Sequence, residues 1–212
     1  MLILALDVDG VLLDPERSGG GHWTNEMERA FGITRPQIRA AFFMRSWDDV
    51  VNGRRSVEEG IAEALAMIDV DVAVEDFLTV WFEADFAPID DAIALARRAG
   101  DAGCRVVLAT NQEHRRAAFL RERLGAIMPI DDVFHSAGFG VQKHEAAFFE
   151  LASSRLGLGA ERRGDVVVVD DAEHNVEQAR VAGWRAVHAA PGTEPAEWIA
   201  EVEQLLDLPA PS

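Results

Sequence analysis

A chain of 212 residues, 49% of them hydrophobic and 27% charged, carries enough apolar material for one core, or one core with a modest insertion. Its formal net charge of -17 argues against nucleic acid, whose phosphates it would repel, so an anionic ligand must be met by local positive charge. Its one cysteine, Cys104, excludes an internal disulfide, fits a reducing compartment and, beside an apolar strand, reads as a buried structural thiol. With no basic leader, no 18-residue apolar span and no lipidation signal, the expectation is a soluble cytoplasmic protein, monomeric or homodimeric, with no membrane partner.

The first element is the apolar run Leu2-Ile-Leu-Ala-Leu6, which ends abruptly in Asp7, Asp9 and Gly10. A run apolar at every position predicts a strand covered on both faces, as in a parallel sheet. Two carboxylates at its end are costly unless positive charge lies between them. Mg2+ suits paired hard oxygens and brings phosphate chemistry with it.

Residues 14–88 contain no comparable β-branched run. They predict helices at Glu26–Phe31, Pro36–Phe43, Val57–Ile68 and Val74–Phe82, opened by Ser18-Gly-Gly-Gly21 and closed by Phe86-Ala-Pro88. This is an all-helical insertion on two flexible connections. Alternation then begins with a helix over Asp90–Gly100, capped by Asp90 or Asp91, and the strand Arg105–Ala109 running into Thr110-Asn111-Gln112. A helix over His114–Leu124 precedes a weaker strand, Asp132–Ser136, which leads to Gly138, Gly140 and Lys143. Then come the helix Glu145–Leu156, the strand Val166–Val169 ending in Asp170-Asp171, the helix Asn175–Ala182 and the strand Trp184–His188, with His188 as a core residue. Leu208–Ser212 reads as a frayed tail. The alternation implies an α/β fold, a parallel sheet of about five strands with right-handed crossovers.

Ligands of such sheets bind beyond the carboxyl ends of the strands, where Asp7, Asp9, Thr110, Asn111, Asp170 and Asp171 all fall, with Lys143 on a neighbouring connection. In order along the chain stand Asp7-Val-Asp9-Gly10-Val11, Leu108-Ala-Thr110-Asn111, Lys143, and Val169-Asp170-Asp171 followed by Asn175. By these four motifs the chain resembles the haloacid dehalogenase (HAD) superfamily over nearly its whole length. The resemblance implies a Rossmann-like core, residues 1–13 and 89–212, with a helical C1 cap, residues 14–88. It implies a Mg2+-dependent phosphomonoester hydrolase acting on a small phosphorylated metabolite of the sugar- or nucleotide-phosphate type.

The implied roles follow motif by motif. Asp7 would be the nucleophile that forms an aspartyl-phosphate. Asp9 would be the general acid and then base, with only its backbone carbonyl on the metal. Thr110 and Asn111 would bind the phosphoryl oxygens, and Lys143 would supply positive charge to them and to Asp7. Asp170 and Asp171 would complete the Mg2+ shell, at least one of them directly, and Asn175 would organise the loop behind them. Charge supports the metal: three carboxylates and a phosphate dianion face one ammonium, and at an effective dielectric of about 20 each unit repulsion at about 4 Å is roughly 4 kcal/mol.

His144 departs from the proline common in the family after this lysine. The six histidines show no zinc-type spacing. In the insertion, His22, Trp23, Arg45, Trp47, Arg54 and Arg55 are candidates for substrate selection, against the ordinary reading of surface arginines and half-buried tryptophans. The alternatives are a phosphomutase with the same motifs, a metal-free 2-haloacid dehalogenase, against which Asp9 argues, and a non-catalytic phosphate-binding protein.

Overall fold

The structure is a computed structural model that describes residues 1–14 and 23–209. The glycine-rich Ser18–Gly21 connection, His22 and the last three residues lie outside the described residues. After strand β1 (Ile3–Leu6) come five helices: α1 (Thr24–Phe31), α2 (Arg35–Ile38), α3 (Trp47–Val51), α4 (Val57–Ile68) and α5 (Val74–Ala84). The alternating part runs α6 (Asp90–Asp101), β2 (Arg105–Thr110), α7 (His114–Gly125), β3 (Asp132–His135), α8 (Ser136–Phe139), α9 (Ala146–Arg155), β4 (Val166–Asp170), α10 (Glu173–Val181), β5 (Arg185–His188) and α11 (Pro195–Leu205).

The five strands are parallel, in the order β3-β2-β1-β4-β5. Side chains alternate across a strand, and both faces are covered. Leu4, Leu6, Val106, Leu108, Val167 and Val169 pack toward α6, α7 and α11. Ile3, Ala5, Val107, Ala109, Val166 and Val168 pack toward α9 and α10. That two-sided burial is why these strands are written as unbroken apolar runs. Since α6 and α7 lie on one face and α9 and α10 on the other, the chain reverses direction in the sheet between β1 and β4, a place where such sheets open a crevice.

The inserted helices enclose a separate core around Met27, Phe42, Ile61, Phe77 and Trp81. The predicted helix over Pro36–Phe43 is α2 followed by a π-helical turn, Arg39–Phe43. This turn buries Phe42 among the helices and leaves Phe43 half-buried. The insertion sits on the sheet domain through polar contacts: Ser136 Oγ donates to the Val51 carbonyl at 2.7 Å, and Arg115 pairs with Glu58 and Glu75. Gly53 lies so close to the Ala137 carbonyl that a Cβ there would stand 2.4 Å from its oxygen. Among the described residues no helix is long and apolar enough to cross a membrane.

Several sequence expectations need correction. The N-cap of α6 is Ile89, without a side-chain cap; Asp90 and Asp91 sit inside the first turn, where the helix dipole favours their charge. Cys104 is half-buried rather than core, because it precedes β2 at the rim of the sheet. Helix α11 was not anticipated; its Trp198, Ile199 and Val202 close the sheet face. Leu208 packs against that core and its N–H donates to the Glu203 carbonyl at 3.0 Å, so the first residue of the expected frayed tail is held; residues 210–212 lie outside the described residues. His188 is half-buried, with Nε2 2.9 Å from the Asp171 carbonyl it donates to; its polar ring faces the acidic pair instead of the core.

Candidate active site

The site begins where β1 stops. The Asp7 N–H still donates to the Val169 carbonyl, at 2.9 Å, so the ladder carries Asp7 one residue past the strand and beside Asp170. Asp7 is only 6% exposed. Its Oδ1 accepts the Val8 N–H at 2.7 Å, and its Oδ2 lies 2.5 Å from Lys143 Nζ. Lys143, 1% exposed, also reaches Asp170 Oδ2 at 2.7 Å. The second oxygen of Asp170 accepts from the Ala172 N–H and from Asn175 Nδ2, each at 3.0 Å. Asn175 thus orients Asp170 from behind.

Asn111 Oδ1 accepts the Lys143 backbone N–H at 2.9 Å, tying the end of β2 to the loop that presents the lysine. Thr110 is buried as the last residue of β2. His144 is exposed and points to no member of the site.

Burial pushes the Asp7 carboxyl up; the Lys143 ammonium opposes this, while the Asp170 and Asp9 carboxylates reinforce it. Burial would lower Lys143, but Asp7 and Asp170 outweigh it and hold the ammonium above its ordinary value. Burial and then Asp170 raise Asp171. Oxygens of Asp7, Asp170 and Asp171 lie within 4.8 Å of one another. Three carboxylates around one ammonium leave an excess of negative charge and a hard-oxygen donor set, which fits a divalent cation. Gly10 makes the cluster possible: its φ is +81°, and a Cβ there would meet Asp171 Oδ2 at 2.6 Å.

The Asp9 carboxylate stands outside that trio. Its Oδ2 accepts from Gln112 Nε2 at 2.6 Å and its Oδ1 from Arg116 Nη2 at 3.0 Å. Arg116 is 2% exposed and also pairs with Asp85 at 2.7 Å. Burial pushes the Asp85 carboxyl up to about 6 against the pull of Arg116. Glu113 caps α7, accepting from the Arg115 and Arg116 N–H groups, and one turn of helix brings Gln112 and Arg116 onto the same side.

Gln112, Arg116, Asp85 and Trp81 were missed by sequence reasoning. Gln112 follows Asn111 directly and Arg116 lies one turn on, but nothing local separates Arg116 from its exposed neighbour Arg115. Together with Asp9, Trp23, Phe43, Trp47, Trp81 and Asn111, these residues bound a cavity of about 230 Å³ between α7 and the inserted helices. Of the expected selection residues only Trp23 and Trp47 line it. Arg45 is exposed, Arg54 pairs with Asp48 and Asp49, and Arg55 pairs with Glu63; His22 is outside the described residues.

Comparison with known proteins bears on this arrangement. No curated protein shows a significant match. Among solved structures, the HAD family enzyme BT-2542 from Bacteroides thetaiotaomicron superposes with a TM-score of 0.71 at 16% identity, over 92% of this chain and 96% of that one. That enzyme is also known in complex with magnesium and inorganic phosphate. A predicted HAD-like hydrolase from Porphyromonas gingivalis gives 0.69 at 19% identity, over 97% and 98%. The L-2-haloacid dehalogenase of Xanthobacter autotrophicus, with chloropropionic acid covalently bound, gives 0.60 at 20% identity, over 89% and 77%. These likenesses speak for the fold. The model of the haloacid dehalogenase-like hydrolases matches residues 1–183, a span that holds all four strand-end motifs and the helical insertion. By that match, and with the fold and acidic cluster agreeing, the chain belongs to the haloacid dehalogenase-like hydrolase family.

Proposed function

We propose that the protein is a Mg2+-dependent phosphomonoester hydrolase acting on a small phosphorylated metabolite. One observation carries this reading: beside the buried Asp7–Lys143–Asp170 cluster, a second motif carboxylate, Asp9, is held apart by Gln112 and Arg116 at the edge of the adjoining cavity. A group so placed can serve a leaving oxygen, whereas a metal-free dehalogenase has no use for it.

An Asp7 carboxylate oxygen attacks phosphorus and the ester P–O bond breaks, leaving an aspartyl-phosphate. Asp9 gives its proton to the departing alkoxide. Asp9 then takes a proton from water as that water attacks phosphorus; the bond to Asp7 breaks and inorganic phosphate leaves. Thr110 and Asn111 hold the phosphoryl oxygens, and Lys143 offsets their charge. Asp7, Asp170, Asp171 and the Asp9 carbonyl would hold Mg2+, which would supply positive charge to offset that of the phosphoryl group. Residues 14–88 act as a cap whose contact with the core, residues 1–13 and 89–212, excludes bulk water during transfer.

Hydrolysis of p-nitrophenyl phosphate and acetyl phosphate, in Mg2+ and in excess EDTA, tests the reading. Turnover should need both the metal and Asp7, with Asp7→Asn folded by circular dichroism yet inactive, and Asp9→Asn impaired most on the poorer leaving group. Turnover by Asp7→Asn near the wild-type rate would remove the nucleophile and the proposal with it.

A further inference from the structure

The cavity beside Asp9 is lined by residues whose side chains carry polar atoms that the protein itself leaves unsatisfied. Arg116 Nη1, Gln112 Oε1 and Trp81 Nε1 are buried with no hydrogen-bond partner, and all three residues line this one cavity. Buried unpaired polar atoms are destabilising and rare in native proteins. The other such atoms among the described residues are Arg98, Arg163 and Arg185 Nε and Asn175 Oδ1. Three of the seven belong to residues around this one cavity, and their polarity is defined: two donors, from Arg116 and Trp81, and one acceptor, from Gln112.

The remaining lining is Asp9, Asp85 and Asn111 together with three aromatic rings, Trp23, Phe43 and Trp47. Trp23 stacks on Trp81 with centroids 5.0 Å apart, and Phe43 and Trp47 stand 5.5 Å apart, offering flat apolar faces. Charge narrows the ligand further. Arg116 Nη2 serves both Asp9 and Asp85, so two carboxylates already share its one positive charge and none remains for an anion. At about 230 Å³ the space is smaller than the roughly 300–1,000 Å³ of sites for drug-sized ligands, which argues against a nucleoside.

We infer that the alcohol released by this enzyme is a compact, uncharged molecule with a planar apolar face and both a hydrogen-bond acceptor and a donor. It seats against Trp23, Phe43, Trp47 and Trp81, and its polar groups are read by Arg116, Gln112 and Trp81 Nε1. The assignment rests on the phosphatase reading above. It names the substrate class, an uncharged aryl or similarly flat phosphomonoester, and sets it against carboxylated phosphoesters of equal size.

The experiment compares kcat/KM of the Mg2+-loaded enzyme for 3-carbamoylphenyl phosphate and 3-carboxyphenyl phosphate, which match in shape and differ by one charge. Acetyl phosphate, with no ring to seat, reports the phosphoryl chemistry separately. The carbamoyl ester should be preferred at least about tenfold, because a like charge brought beside Asp9 and Asp85 is repelled. Equal or reversed preference, with acetyl phosphate hydrolysed, would overturn the pocket assignment and leave the phosphatase standing. No turnover of any of the three would overturn the phosphatase reading itself, and the assignment would fall with it. Trp81→Phe keeps the ring and removes one donor. It should lower the ratio of carbamoylphenyl to phenyl phosphate turnover about three- to tenfold, one hydrogen bond's worth, whereas a merely structural effect would move both esters together. An unchanged ratio would take Trp81 out of the recognition.

Discussion

Lys143→Met strips the charge from the centre of the site while keeping the side chain's length. Lys143 is buried between Asp7 at 2.5 Å and Asp170 at 2.7 Å, so the variant leaves two buried carboxylates without the ammonium that compensates them. Removing one partner of a buried ion pair costs about 3–5 kcal/mol. In a chain of this length about 1 kcal/mol moves Tm by about 2–4 °C. The metal-free variant should therefore melt about 6–20 °C below wild type near neutral pH. The pH dependence has a definite sign. Burial already raises the Asp7 carboxyl, and losing Lys143 raises it further. A raised carboxyl stabilises the fold at low pH and loses that contribution as pH rises through its folded value, so the deficit should shrink as pH is lowered from about 7.5 to about 5. Mg2+ restores positive charge and should also narrow it. Circular-dichroism melts in EDTA and in Mg2+, at both pH values, give the four numbers needed. A deficit below about 1 kcal/mol, or one indifferent to both pH and Mg2+, would refute the charge-balance reasoning.

Two further perturbations probe neighbouring parts of the structure. Gly10→Ala forces a Cβ to within 2.6 Å of Asp171 Oδ2 at a φ of +81°. It should cost about 1–2 kcal/mol in backbone strain and weaken Mg2+ binding at least about tenfold by displacing Asp171; an unchanged Mg2+ midpoint in a calorimetric titration would count against Asp171 as a ligand. His135 is held down to about 4, mainly by burial and then by His114 and Arg155, and its Nδ1 accepts the Gly138 N–H at 3.0 Å. A depressed histidine stabilises the fold above its unfolded value of about 6.5 and loses that contribution as pH falls toward the folded value. His135→Asn should flatten the acid limb of a urea-denaturation profile between about pH 6.5 and about pH 4, by about 1–2 kcal/mol after allowance for the ring's partial exposure. Identical acid limbs would dismiss His135 as an acid-sensitive point.

The sheet and the acidic cluster were legible from sequence because the physics that builds them is local. Strands buried on both faces must be apolar at every position, so β1, β2 and β4 stand out as unbroken runs, and the polar residues that follow each run must gather at one end of a parallel sheet. Asp7, Thr110, Asp170 and the Gly10 turn are therefore readable in order along the chain. Helix α11 was not read, because its apolar residues, Trp198, Ile199 and Val202, are sparse among acids until the sheet supplies the face they cover. Asp90 and Asp91 looked like caps because capping residues and first-turn acids share a composition; backbone geometry alone separates them.

What only the tertiary structure decided is the partnership of side chains from distant parts of the chain. Arg116 reads in sequence as one of two adjacent helix arginines, yet Arg115 turns outward to Glu58 and Glu75 while Arg116 turns inward to Asp9 and Asp85. The aromatic wall is likewise drawn from α5, the π turn, the first residue of α3 and the residue before α1. Periodicity and turn chemistry depend on near neighbours and are written in the sequence. Which charge a buried guanidinium meets depends on long-range packing, since burial makes each unpaired charge too costly to leave and the fold determines which partner is within reach.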